Sequence, residues 1–129
     1  MLNGELLNGN IEYKPTIIYE DTAGSNGTIN FETKLVANKR TRIYYYYYNG
    51  NFKIYNNIDF IMPSAINISL ETSFVESASK LIKAVRSIYI TLATLVNARE
   101  HIITFTANGS TLSSVNPVDI YITRIEQYD

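Results

Sequence analysis

The 129-residue chain has no cysteine, one histidine, three prolines and six glycines. Without cysteine there is no disulfide framework and no thiolate chemistry, although no redox compartment is excluded. Eleven basic and twelve acidic residues leave a net charge of −1. They are interleaved, so the chain has neither the basic stripe of a nucleic-acid binder nor an acidic tail. Its apolar runs are far too short to span a bilayer, and no membrane insertion is expected. Met1-Leu2-Asn3-Gly4 lacks the charged start and apolar segment of a signal peptide. The expectation is a chain made and assembled in a cytoplasm. Its length fits one domain, able to bury roughly two thirds of the unfolded chain's surface.

What the chain has in quantity is isoleucine, asparagine and tyrosine. Isoleucine and tyrosine favour strands, and asparagine favours turns. The sharpest local signal is Tyr44 to Tyr48 followed by Asn49-Gly50 and then Asn51-Phe52-Lys53-Ile54-Tyr55. Asn-Gly between two β-prone runs predicts a hairpin, because both central residues of a type I′ turn need positive φ. With that turn, Tyr48 faces Asn51, Tyr46 faces Lys53 and Tyr44 faces Tyr55. One face then carries Ile43, Tyr45, Tyr47, Phe52 and Ile54. The other carries Tyr44, Tyr46, Tyr48, Lys53 and Tyr55. A core accounts for the first face. The second needs another sheet, another subunit or a ligand.

Other segments read as follows. Residues 1–14 form an N-terminal arm, and 15–129 a single domain. Thr16 to Tyr19 is a strand, Asp21 to Gly27 a loop, and Thr28 to Phe31 a short strand with Ile29 and Phe31 on one face. Leu35, Val36 and Ala37 plug the core from a turn. Ile58 to Met62 is an apolar run ended by Pro63. Ile66, Ile68 and Leu70 alternate with Asn67 and Ser69, as in a half-buried strand. Leu81, Val85, Ile88, Leu92 and Leu95 fall at helical spacing, so a helix over 76–99 is the alternative to strands there. Against it stand β-prone Val85, Ile88, Tyr89, Ile90 and Thr91. His101 to Thr106 is a strand and Asn108-Gly109 a turn. Asp119 to Glu126 is the last strand, with Ile120 and Ile122 on one face and Tyr121, Thr123 and Ile125 on the other. The sum is an all-β fold, an antiparallel β-sandwich of about seven to nine short strands.

Catalysis has little support. His101, between Glu100 and Ile102, would need an orienting carboxylate and a nucleophile. There is no Gly-x-Ser-x-Gly turn and no Gly-rich phosphate loop. Glu20-Asp21 could supply half of a glycosidase-type carboxylate pair, but adjacent acids at a strand end read more simply as a solvated turn. No cofactor and no metal site is expected, since clustered ligands are missing. The sequons at Asn26, Asn67 and Asn108 are expected from composition alone. Tyrosine suits recognition, with large apolar area, a polar tip and few rotors. Tyr44, Tyr46, Tyr48 and Tyr55 are therefore the candidate interface or ligand-contact residues.

Two stretches carry a resemblance. Tyr19-Glu20-Asp21-Thr22-Ala23-Gly24-Ser25-Asn26-Gly27-Thr28-Ile29-Asn30-Phe31, then Val36-Ala37-Asn38 leading through Ile43 to the tyrosines and Asn49-Gly50, follow the order and spacing of an all-β module. The closing Asp119 to Tyr128 segment is similar to that module's last strand, and Asn8 to Pro15 suits its entry. The module belongs to tail-fibre and related structural proteins of bacteriophages. The resemblance covers most of 8–62 and 117–129. It implies strands in 74–106 and a non-enzymatic virion protein, located on the particle after assembly in the host cytoplasm. It also implies a homo-oligomer, often a trimer, with other virion proteins as partners and a host cell-surface glycan as a candidate ligand. In that family the module usually closes a long fibre. Taken as a whole protein, this chain would be an accessory fixed to the tail, baseplate or capsid. The alternative functions are a capsid decoration or head-fibre protein of the same fold and, more remotely, a small carbohydrate-active enzyme.

Overall fold

The computed structural model describes residues 14–49, 51–77, 80–97, 102–106, 111–112 and 119–129. The N-terminal arm up to residue 13, Gly50 of the hairpin turn, His101 and the Asn108-Gly109 turn lie outside the described residues. The strands are β1 (Thr16–Ser25), β2 (Ile29–Asn30), β3 (Arg40–Asn49), β4 (Phe52–Ile61), β5 (Ala65–Ser77), β6 (Lys80–Thr91), β7 (Thr94–Asn97), β8 (Ile102–Thr106), β9 (Thr111–Leu112) and β10 (Tyr121–Tyr128). They form two antiparallel sheets, one ordered β1-β10-β3-β4 and the other β2-β7-β6-β8-β9, with β5 paired to β6. The all-β sandwich expected from the sequence is present. Where a helix over 76–99 was the alternative, the described residues form strands: the end of β5, then β6 and β7, with β6 paired to β5 in a long hairpin from Ala65↔Thr91 to Ser77↔Lys80. Branched residues over 85–91 decide it, because they lose rotamer freedom in a helix and pack well on a pleated surface. Several strands are longer than expected: β1, β3 and β4 have 10 residues and β5 has 13.

From β1 in the first sheet the chain crosses to the second for β2 and returns for the β3–β4 hairpin. It then builds the rest of the second sheet before β10 inserts between β1 and β3. Isoleucine fills the space between the sheets. Ile18, Ile43, Ile122 and Ile125 come from the first sheet, and Ile29, Ile68, Ile88 and Ile90 from the second. Fully burying one such side chain contributes about 1.5–3 kcal/mol. Leu35 plugs the core from the β2–β3 connection as expected, but Val36 is exposed. The connection is tied to the second sheet by Phe31 N–H to Ala93 O (2.9 Å) and Leu35 N–H to Leu92 O (2.8 Å). Asn38 adopts a left-handed φ of 68°, a conformation asparagine tolerates, and donates to Met62 O at 2.7 Å.

Four local expectations are corrected. The segment expected as a loop from Asp21 is still strand through Ser25, where β1 bends away from β10 by a register shift between Glu20 and Ser25. The hairpin pairs Asn49 with Phe52, Tyr48 with Lys53 and Tyr46 with Tyr55, two positions from the register predicted for an Asn49-Gly50 turn. A two-position slip preserves the faces, so Tyr45 and Tyr47 still point to the core and Tyr46 and Tyr48 away from it. Phe52, assigned to the core face, lies at the hairpin tip and is 77% exposed. In β10 the register slips between Ile122 and Arg124. This bulge places Ile125 in the core beside Ile120 and Ile122, instead of on the face with Tyr121.

Candidate functional site

The outer face of the first sheet is layered by β3, β4 and β10, and its two ends differ. Near the hairpin tip it is aromatic. Tyr46 stacks on Tyr121 with centroids 4.9 Å apart and planes 15° apart. Tyr48 meets Tyr46 edge-on at 5.7 Å, and Tyr55 lies tilted against it at 5.6 Å. The Lys53 ammonium sits over the Tyr46 ring, 4.7 Å from its centroid. The Tyr46 hydroxyl donates to the Ala23 carbonyl at 2.6 Å. Burial, followed by the neighbouring Tyr48 phenol, raises the pKa of that hydroxyl and keeps it a neutral donor. The carbonyl can reach it because β1 turns through Gly24, whose φ is +84°. A Cβ at Gly24 would stand 2.7 Å from Tyr121 Cβ and 3.0 Å from Tyr46 Cε2. The closeness of β1 to the aromatic group therefore depends on glycine in both conformation and space.

Away from the tip the same face is ionic. Arg42 forks onto Asp59 with Nε–Oδ1 at 2.7 Å and Nη2–Oδ2 at 2.9 Å, and Arg40 adds a bond at 3.2 Å. The side-chain bonds from Arg42 hold the Asp59 carboxyl below its usual pKa. Glu126, 2% exposed, accepts from Tyr44 Oη at 2.7 Å, from Arg124 Nε at 2.7 Å and from the Tyr128 hydroxyl. Burial pushes this carboxyl up, but the Tyr128 and Tyr44 hydroxyls and the Arg124 guanidinium together outweigh it and hold the pKa below the usual range. Arg124 reaches on to Glu20 at 3.0 Å.

The four candidate tyrosines thus divide. Tyr44 is half-buried and anchored to Glu126. Tyr46 is 3% exposed and fully engaged within the chain, so it cannot itself be a contact surface. Tyr48 is 41% and Tyr55 68% exposed. Beside Tyr55 the face hollows into an open concavity of about 400 Å³, lined by Glu20, Thr22, Tyr44, Asn57, Arg124 and others. It offers a ring face, an amide, a carboxylate and a guanidinium to one ligand. Sequence reasoning named neither Gly24 nor Glu126 as part of this face, and it did not link Tyr121 to Tyr46. Those pairings depend on β10 inserting beside β3, which no local pattern announces.

The acidic pair Glu20-Asp21 has structural bonds. Glu20 holds Arg124, while Asp21 accepts from the Ala23 N–H at 3.1 Å and from the Tyr19 hydroxyl at 3.3 Å. Among the described residues no group of three or more His, Cys, Asp or Glu side chains is placed to hold a metal ion. Comparisons of the chain with protein-family models, with curated proteins and with solved structures return no match.

Proposed function

We propose that the chain is a non-enzymatic structural module of a tailed-phage virion, a fibre- or baseplate-type unit acting in assembly or host-surface attachment. The observation that carries this reading is the outer face of the first sheet. Exposed Tyr48 and Tyr55 stand on the stack of buried Tyr46 and half-buried Tyr121, beside an open concavity. Rings held in place by their neighbours lose little entropy when a partner covers them, which suits a contact surface. The sequence resemblance to phage appendage modules supplies the virion setting. The exposed ring, amide and guanidinium around the concavity match a cell-surface glycan.

The test is location. Particles purified on a density gradient are digested for mass spectrometry and labelled with antibody for electron microscopy. The proposal expects peptides of this chain in the particle band and label at the tail or baseplate. Label over the shell would instead favour capsid decoration. Recovery only in the soluble fraction would contradict a virion role.

A further inference from the structure

The two edges of the first sheet are built differently. On one side, β1 is broken by register shifts between Ile17 and Tyr19 and between Glu20 and Ser25. Such irregularities blunt an edge against further pairing. On the other side, β4 runs from Asn49↔Phe52 to Arg40↔Ile61 without a shift. Among the described residues no strand pairs with its outer edge. It contains no proline, and Phe52, Tyr55 and Ile61 are exposed along it. The Asn57 N–H donates to its neighbour's Asn56 Oδ1 at 2.8 Å. An amide engaged with β3 would not need that local bond, so the odd-numbered amides of β4 are the ones on the free edge.

The sequence of β4 is also self-complementary. Reversed about Asn56, Phe52 falls on Phe60, Lys53 on Asp59, Ile54 on Ile58 and Tyr55 on Asn57. Antiparallel pairing must keep parity, or one copy's core face would meet the other's outer face. Of the registers that keep parity, only the one centred on Asn56 sets Lys53 opposite Asp59. We infer that β4 is a self-association edge: two copies of this chain pair antiparallel through it, about a twofold axis at Asn56. Lys53 of each copy then meets Asp59 of the other, Phe52 meets Phe60, and the two first sheets become one continuous sheet. The free odd-numbered amides bond across the axis, and the Asn57 N–H exchanges its local acceptor for Tyr55 O of the second copy. A twofold interface closes on itself. The inference therefore goes beyond the virion reading, and departs from the threefold assembly that the family resemblance implies.

The chain has no cysteine of its own, which makes the axis testable on the pure full-length protein. On the axis, Asn56 faces itself as a non-hydrogen-bonded pair, with a Cα separation of about 4.5 Å that a disulfide can span. Asn56→Cys is expected to give a covalent dimer under mild oxidation, while Asn57→Cys, which faces Tyr55 of the second copy, stays largely uncrosslinked. Equal crosslinking of both, or none of either, would overturn the inference. By sedimentation, wild type is expected to dimerise, and Lys53→Asp to weaken the dimer by more than about tenfold, because like charges then face each other twice. Mixing Lys53→Asp with Asp59→Lys is expected to restore a dimer made of one copy of each. Wild-type association by Lys53→Asp, or a monomeric wild type, would overturn it. Should Asp59→Lys fail to fold after losing Arg42, the Cys pair and Lys53→Asp decide the question alone. None of these readouts depends on where the protein sits on a particle.

Discussion

The two faces of the first sheet are made by the same strands in the same register, yet different physics holds them. The inner face is mainly apolar: Ile43, Ile122 and Ile125 have no exposed surface, and the buried rings of Tyr45 and Tyr47 pack with them. It is stabilised by burial, without preference for direction. The outer face has no sheet above it among the described residues, so its order comes from directional contacts. These are the Tyr46–Tyr121 stack, the Lys53 cation over Tyr46, the Arg42–Asp59 fork and the three donors on Glu126. A face ordered this way can stay rigid while leaving some rings uncovered. Tyr46 supports the layer, and Tyr48 and Tyr55 are presented by it.

The comparison breaks most severely from the inside. Ile122→Ala, at a fully buried position, is expected to lower unfolding free energy by about 2–5 kcal/mol in urea titrations, through lost burial and the cavity left behind. A much smaller loss would mean that the sheets do not pack at β10.

Next in size is Glu126→Ala, which leaves two hydroxyls and part of a guanidinium without their acceptor. About 1.5–3 kcal/mol is expected, the range for hydrogen bonds to a charged group. This carboxyl also couples stability to pH. Its pKa is lower folded than unfolded, so its contribution is fully present above the unfolded value and is lost as pH falls through the folded one. Asp59 acts in the same direction. Urea midpoints should therefore fall on acidification below the ordinary carboxylate range, and Glu126→Gln should flatten part of that slope. An unchanged slope would remove Glu126 from the account.

Smaller again is Gly24→Ala, where a methyl group would press on Tyr121 and Tyr46 from a positive-φ residue. About 1–3 kcal/mol is expected, read as a lower melting temperature together with altered tyrosine near-ultraviolet dichroism. Melting like wild type would show that β1 does not abut the ring stack.

Much of this was legible in the sequence, and the misses have physical causes. Alternation over 43–48 and 52–55 assigned inner and outer faces because side-chain period in a strand is two. It could not fix the pairing, since a two-position slip leaves every face unchanged. Ile125 was misassigned because the bulge between Ile122 and Arg124 breaks the period, and a bulge carries no sequence mark here. Asp21 to Gly27 reads as a loop because Gly24, Ser25, Asn26 and Gly27 are turn formers, but β10 holds Ser25 in register with Ile122 and the strand continues to it. Of the four candidate tyrosines, local pattern placed all on the outer face. It could not tell supporting rings from presented ones, because Tyr121 and Ala23 come from distant parts of the chain.

The central claim is that this face divides into rings that hold and rings that are offered. Urea unfolding of Tyr46→Ala and Tyr55→Ala side by side tests it most directly. The account predicts a loss of about 3–5 kcal/mol for Tyr46→Ala and a change within about 0.5 kcal/mol for Tyr55→Ala. Equal losses, or a larger one at Tyr55, would contradict it.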